Sequence, residues 1–396
     1  MKSIAAWFSM RKLRDDYLAF GQPNLGPREF AAVRRVMATG WIGMGPETIA
    51  FEKELAAFCG APDVVTVNSC TSALFLALRA SGIGAGDEVI TPSFTWCSTP
   101  NAVLYVGARP VFCDIDPRTF NATPESVRAA LTPRTRAVLL VHMGGLAVDV
   151  AAVRAVLPRR VRIIEDAAHA LGARYPDGCP VGSSGNLTCF SFYANKNLSS
   201  GEGGAIAVGD ERIAARLRSL RLHGLSADAW KRYAEPVRKV RVEVKELGYK
   251  MNYTDLQAAI GRVQLARQAE FGKTRLRIAK AYAAWIANSG SGLTMQAELT
   301  ATRHARHLFQ VLLPPRLRGK HRDAIVAALR ARQVGASIHY DPVHTFRPYR
   351  GFESSSLPVT QSVGSRTMTL PIGPRMKLTD VAYVLEALTD ALSEFA

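Results

Sequence analysis

The 396-residue sequence is short of acidic residues: 33 Asp and Glu stand against 50 Lys and Arg, for a formal net charge of +17. It is also short of lysine, which supplies only twelve of those fifty cations. Cysteine is sparse, and Cys59, Cys70, Cys97, Cys113, Cys179 and Cys189 include no CxxC pair. That argues against a disulfide framework or a zinc site and for a reducing compartment. No run of about 18 apolar residues occurs, so no membrane span is expected. The apolar patch at 4–8 is short, lacks a clear cleavage site and is followed by Arg11, Lys12 and Arg14. It does not read as a signal peptide, and a cytoplasmic location is expected. There is no GxxxxGK[ST], which excludes a nucleotide-triphosphatase P-loop. Helix-turn-helix, zinc-finger and basic-aromatic RNA motifs are missing too, so a nucleic-acid reading rests on charge alone.

Hydrophobic residues make up 48% of the chain, enough for a sizeable core, and this excludes a disordered scaffold. From residue 63 to about 208, short apolar runs alternate with helical patterns. Strands are expected at 64–67, 88–91, 110–113, 137–142, 162–165, 187–192 and 204–208, the last two adjacent. Helices are expected at 72–80, 101–106, 124–131 and 148–156. Near-continuous apolar strands in such an alternation imply a largely parallel sheet covered on both faces. A charged helix (211–222), a basic stretch (230–245) and a long helical pattern (254–286) follow. Beyond the SGSG turn at 289–292 come an expected strand (307–313), helix (321–333), strand (336–339) and closing helix (378–395). The expected fold is a three-layer α/β large domain at 26–265. A smaller α+β domain at 266–396 and an N-terminal arm at 1–25 complete it.

Four segments at strand ends carry chemistry, where an open α/β sheet builds its crevice. Asn68-Ser69-Cys70-Thr71-Ser72 offers hydroxyls and amides at a helix start, suited to a phosphate or to plain N-capping. Glu165-Asp166 closes a β-branched strand, with His169 three residues on. A carboxylate there needs a cationic partner, such as a protonated ring nitrogen, or caps the next helix. Lys196 lies between the apolar strand ending at Ser191-Phe192 and the Gly-rich turn Gly201-Glu202-Gly203-Gly204. Burial would lower its pKa and free the amine to attack a carbonyl, whereas pairing with Glu202 would make it structural. Phe94 and Trp96 form an aromatic pair that stacks on a flat ring or packs in the core. A phosphate cradle, an anion for a ring nitrogen, an aldehyde-capturing lysine and a stacking aromatic are the set that pyridoxal 5′-phosphate requires.

With these segments the chain resembles the DegT/StrS family of pyridoxal-phosphate sugar aminotransferases, of aspartate-aminotransferase fold type I. The resemblance is carried by Gly40-Trp41-Ile42-Gly43-Met44-Gly45-Pro46, by Gly107-Ala108-Arg109-Pro110-Val111-Phe112 with Asp114-Ile115-Asp116, and by Glu165 to Ala173. Ser191 to Lys196 with Gly201 to Gly204, Leu222-His223-Gly224, Trp230 to Tyr233, Gly248 to Asn252 and Ile338-His339-Tyr340 add to it. It implies that Lys196 forms the Schiff base and shuttles protons, and that Asp166 bonds the pyridinium nitrogen. Ser191, Thr71 and the amides near Ser72 would hold the phosphate, Trp96 would stack, and His169 would lie near the cofactor. Asn252 would reach the phosphate across a homodimer interface, although many relatives carry that Asn at the position of Lys250. No metal is implied. The implied activity is amino transfer from an amino acid such as L-glutamate to a keto sugar, with a nucleotide-linked deoxysugar ranked above a cyclitol ketone. Dehydratase relatives have His where this chain has Lys196. Cys70 and Pro100 depart from a common Gly and Ala without removing a group the cofactor needs.

Overall fold

The computed structural model describes residues 13–225, 243–297, 304–352 and 356–395. Most of the basic stretch at 230–245, and the Trp230–Tyr233 motif, lie outside the described residues. Seven strands form the main sheet: β1 (Asp63–Val67), β2 (Glu88–Pro92), β3 (Arg109–Cys113), β4 (Thr135–Val141), β5 (Arg162–Asp166), β6 (Leu187–Ser191) and β7 (Gly204–Val208). Their spatial order is β1-β7-β6-β5-β4-β2-β3. Neighbours run parallel except at β7, which is antiparallel to both β1 and β6. Strand residues alternate between two apolar layers: Val64, Val138, Leu140 and Ile163 face one, and Val65, Val67, Leu139 and Ile164 the other. A sheet buried on both faces explains why its strands read as continuous apolar runs.

Helices α1 (Pro27–Ala38) and α2 (Pro46–Cys59) precede the alternation and are absent from the expectations above. Each begins with Pro directly after a Gly N-cap, a start signal present in the sequence. The first turn of α2 is held from far along the chain. Asp255 Oδ1 accepts from the amides of Gly45 (2.8 Å) and Thr48 (2.9 Å) and from Thr48 Oγ1 (2.7 Å). Between β1 and β3 come α3 (Cys70–Ala80) and α4 (Ser98–Tyr105). The helices α5 (Pro124–Ala129), α6 (Val150–Ala155) and α7 (Glu211–Leu220) fall within their expected segments.

Two expectations differ from the structure. The long helix at 254–286 is two helices, α8 (Asp255–Ala266) and α9 (Gln268–Asn288), broken at Arg267, whose backbone sits at φ −95, ψ 0. Arg267 Nη1 donates to Glu29 Oε1 and to the Asn24 carbonyl, both at 3.0 Å. A one-residue break anchored by such distant partners leaves the apolar period almost undisturbed. The strand at 336–339 is only a bridge, Ser337 to Thr369. The N-terminal arm pairs just before it, with Leu18 N–H donating to Gln333 and Gly335 N–H to Leu18, both at 2.9 Å.

A second sheet of three strands, β8 (Thr294–Met295), β9 (Phe309–Leu312) and β10 (Thr367–Leu370), has the order β10-β9-β8. It shares an apolar cluster with α9, α10 (Lys320–Ala331) and α12 (Leu378–Ser393); α11 (Pro358–Arg366) leads into β10. Asp114 caps α11, accepting from Thr360 N–H and Thr360 Oγ1, both at 2.7 Å.

At the end of β5 the period of two sends consecutive carboxylates to opposite faces. Glu165 is fully buried and accepts from His142 Nε2 (2.8 Å), Tyr175 OH (2.6 Å), Ser184 Oγ (2.5 Å) and Asn186 Nδ2 (2.9 Å). Val148 N–H donates to His142 Nδ1 at 3.0 Å, so Nε2 carries the imidazole hydrogen. Burial pushes the Glu165 carboxyl up, but these donors outweigh it and hold the pKa below 4.5. A carboxyl depressed on folding contributes stability above its unfolded pKa and loses it as pH falls. Glu165→Gln, which cannot accept all four bonds, is expected to cost about 1–3 kcal/mol at pH 7. Denaturant midpoints should show the gap to wild type narrowing as pH falls below about 4.5; a pH-independent gap would contradict this role.

Candidate active site

Asp166, the other carboxylate at this strand end, is 6% exposed. Thr99 Oγ1 donates to Oδ2 at 2.8 Å and Ala168 N–H to Oδ1 at 3.1 Å. Thr99 is held in turn by Thr95 Oγ1, 2.9 Å away. Burial raises the Asp166 pKa, because two donors and the charge of Lys196 only partly offset it. Glu165 is saturated with donors and Asp166 is not; a cation placed against Asp166 would remove the imbalance.

Lys196 lies on the turn after β6, its N–H bonded to the Tyr193 carbonyl at 2.9 Å. No ion pair joins it to Glu202 among the described residues; Glu202 is exposed and its carbonyl accepts from Ser200 Oγ and Gln257 Nε2. Burial draws the Lys196 pKa down to about 8, against smaller opposing effects of Cys70 and Asp166. Nζ is 3.5 Å from His307 Nε2. The His307 ring lies 4.6 Å from that of His169, whose Nε2 is 3.2 Å from Tyr340 OH. Burial, then the charge of Lys196, pushes the pKa of both imidazoles well down.

The β1–α3 turn is the expected cradle. Ser69 caps α3, accepting from Ser72 N–H at 3.1 Å, and Ser72 Oγ donates to Asn68 Oδ1 at 2.7 Å. The amides of Cys70 and Thr71 belong to the first turn and have no intrahelical acceptor. Thr71 and Ser72 are half-buried. Cys70 Sγ reaches the Cys189 carbonyl of β6 at 3.7 Å, and Gly204 faces the turn from β7. A Cβ on Gly204 would lie 2.6 Å from Cys70 N, so only glycine allows this approach. Ser191, paired with Gly204 across β6 and β7, accepts from Tyr193 N–H at 3.4 Å.

Trp96 is 55% exposed and lies 5.7 Å from the Tyr340 ring, so it is not core; Phe94 beside it is fully buried, 6.0 Å from Phe120. Asn252 follows Met251, whose carbonyl accepts from Asn68 N–H at 3.1 Å. Its Nδ2 meets Met44 Sδ at 3.7 Å, while its Oδ1 is buried without a partner. Lys250 is exposed.

These residues fit pyridoxal phosphate on structural grounds. The unsaturated Asp166 suits a protonated ring nitrogen. The open first turn of α3 suits a phosphate. One buried polar atom at the site, His169 Nδ1, has no protein partner. A cavity of about 820 Å³ includes Asn197 but not Lys196, Asp166, Thr71 or Trp96, and is a separate feature. Sequence reasoning gave no role to His307, Asn197, Tyr340 or Thr99. Thr99 follows the Trp96 segment directly and Tyr340 closes the Ile338-His339-Tyr340 motif, but His307 arrives from the second half of the chain with no local motif.

Residues 23–389 match the model of the DegT/DnrJ/EryC1/StrS aminotransferase family. The chain is 42% identical over 386 residues to the spore coat polysaccharide biosynthesis protein SpsC of Bacillus subtilis, covering 96% of this chain and 98% of that one. Among solved structures it is similar to the aminotransferase TlmJ of Streptoalloteichus hindustanus (TM-score 0.87, 33% identity, 97% and 100% of the two chains). It is also similar to the sugar aminotransferase Spr1654 of Streptococcus pneumoniae in its PLP form (TM-score 0.88, 27% identity, 96% and 100%). The chain therefore belongs to the DegT/DnrJ/EryC1/StrS aminotransferase family, as a pyridoxal-phosphate-dependent sugar aminotransferase.

Proposed function

We propose that the enzyme moves an amino group from an amino acid, L-glutamate by family analogy, to the ketone of a nucleotide-linked deoxysugar. The observation that carries the chemistry is the pairing of an unsaturated buried carboxylate, Asp166, with a buried lysine whose pKa is drawn to about 8. The bound cofactor supplies an aldehyde carbon and a ring that takes up the electrons of a broken C–H bond. Asp166 holds the ring nitrogen protonated. Lys196 Nζ, whose lowered pKa leaves more of it as free amine near neutral pH than a surface lysine has, would take the α-proton of the donor and hold it for the proton shift that amino transfer requires. In the second half of the cycle the same atom moves the proton in reverse toward the acceptor. The first turn of α3, with Thr71, Ser72 and Ser191, binds the phosphate, and Trp96 covers the ring. In this proposal the side-chain amide nitrogen of Asn252 donates to the phosphate of a second copy across a homodimer interface.

The saccharide acceptor is supported by SpsC, named for polysaccharide biosynthesis, and by the sugar aminotransferases among the similar structures. The charge excess of +17 favours anionic ligands such as a sugar diphosphate. Among the described residues no helix is long and apolar enough to cross a membrane; a cytoplasmic location is part of the proposal.

Lys196→Ala should lower turnover by about 10³-fold or more, read as amino-sugar product by mass spectrometry. Asp166→Asn should lower it about 10²- to 10⁴-fold while the cofactor's phosphate contacts persist, so cofactor retention should fall far less than rate. A panel of nucleotide-linked keto sugars and cyclitol ketones with L-glutamate tests the acceptor. Turnover confined to cyclitols, or release of ammonia with a deoxysugar, would overturn the proposal.

A further inference from the structure

His307 stands just before β9, 111 residues from Lys196 in sequence, and is 2% exposed. Its tautomer follows from the neighbour on its far side. Asn197 Nδ2 donates to the Ala305 carbonyl at 3.0 Å, which orients the amide and leaves Oδ1 3.3 Å from His307 Nδ1. An amide oxygen only accepts, so His307 Nδ1 carries the hydrogen and Nε2 presents its lone pair to Lys196 Nζ. Asn197 is itself anchored, its carbonyl accepting from Gln268 Nε2 at 3.0 Å.

Among the described residues none of the other groups near Lys196 is hydrogen-bonded to Nζ. Asp166 on β5 holds Thr99 and the Ala168 amide. Cys70 on α3 reaches the Cys189 carbonyl. His169 Nε2 meets Tyr340 OH, and His339 Nδ1 meets Thr369 Oγ1 at 3.0 Å. Burial and the lysine charge keep His307 neutral, so its lone pair stays available.

We propose that His307 is the positioning residue of Lys196: its Nε2 accepts one N–H of the amine and thereby sets where the amine lone pair points. The proposal rests on Lys196 as the proton-moving amine. A lysine released from the cofactor swings on four carbons, and holding one N–H removes much of that freedom while leaving the lone pair for the substrate proton. When Nζ is charged, the same contact becomes a stronger, charge-assisted bond, which favours the ammonium.

The test is competitive labelling of the full-length, cofactor-free protein with acetic anhydride across pH, with Lys196 modification read by mass spectrometry. The wild-type midpoint is expected near 8. His307→Leu removes the acceptor and should lower the midpoint by about one pH unit. His307→Gln keeps a side-chain carbonyl and should recover at least half of that shift. In the loaded enzyme His307→Leu should lower kcat about 10- to 100-fold with the donor KM nearly unchanged. A residue that only packs would lower the melting temperature and leave the midpoint in place. An unmoved midpoint in His307→Leu, or a Gln variant no better than Leu, overturns the proposal. Turnover that survives Lys196→Ala would overturn the functional reading, whereas the labelling midpoints, taken without cofactor or substrate, would still decide the contact.

Discussion

The structure turns on the cost of burying a carboxylate with too few donors. Two sit side by side at the end of β5, and the pleat sends them to opposite faces. Glu165 receives four hydrogen bonds and ties the β4–β5 region to the loop carrying Tyr175, Ser184 and Asn186. Asp166 receives two from the protein and is left short. One neighbour stabilises the fold, and the other holds an electrostatic deficit that a cation placed against it would relieve.

The sheet explains why the other groups gather there. Segments ending at Val67, Pro92, Asp166 and Ser191 are the carboxyl ends of β1, β2, β5 and β6; parallel pairing aligns the last three along one edge, and β1 joins them through the antiparallel β7 between it and β6. β7 runs the other way, so its first residue, Gly204, meets the ends of β1 and β6. The turn that leaves β6 carries Lys196 to the same edge. His307 and Tyr340 approach from the segments around the smaller sheet, which makes the site a product of both halves of the chain.

Much of this was legible in the sequence because each signal was local. Apolar runs bounded by turns marked β1 to β7, and a lone lysine after one of them marked the candidate nucleophile. The failures have a common physical origin. The break at Arg267 is stabilised by Glu29 and Asn24, more than two hundred residues earlier, and barely disturbs the helical period. The segment at 336–339 has strand-like residues, but the arm around Leu18 takes up the pairing beside it. His307 looks like any histidine opening a strand until Lys196 is placed beside it. Long-range pairing leaves no imprint on neighbouring residues, so such positions appear only in three dimensions.

The tight approach at the cradle has an evolutionary consequence. A side chain on Gly204 would collide with the backbone at Ser69 and Cys70, and one on Gly203 would collide with the buried ring of Tyr253. The floor of the site is thus closed to variation by contacts that have nothing to do with any acceptor. Adaptation to a new sugar has to be made on the rim, where Tyr193 stands exposed and a change of shape displaces no backbone. Chemistry and selectivity are housed in separate material, one frozen by packing and the other free to drift.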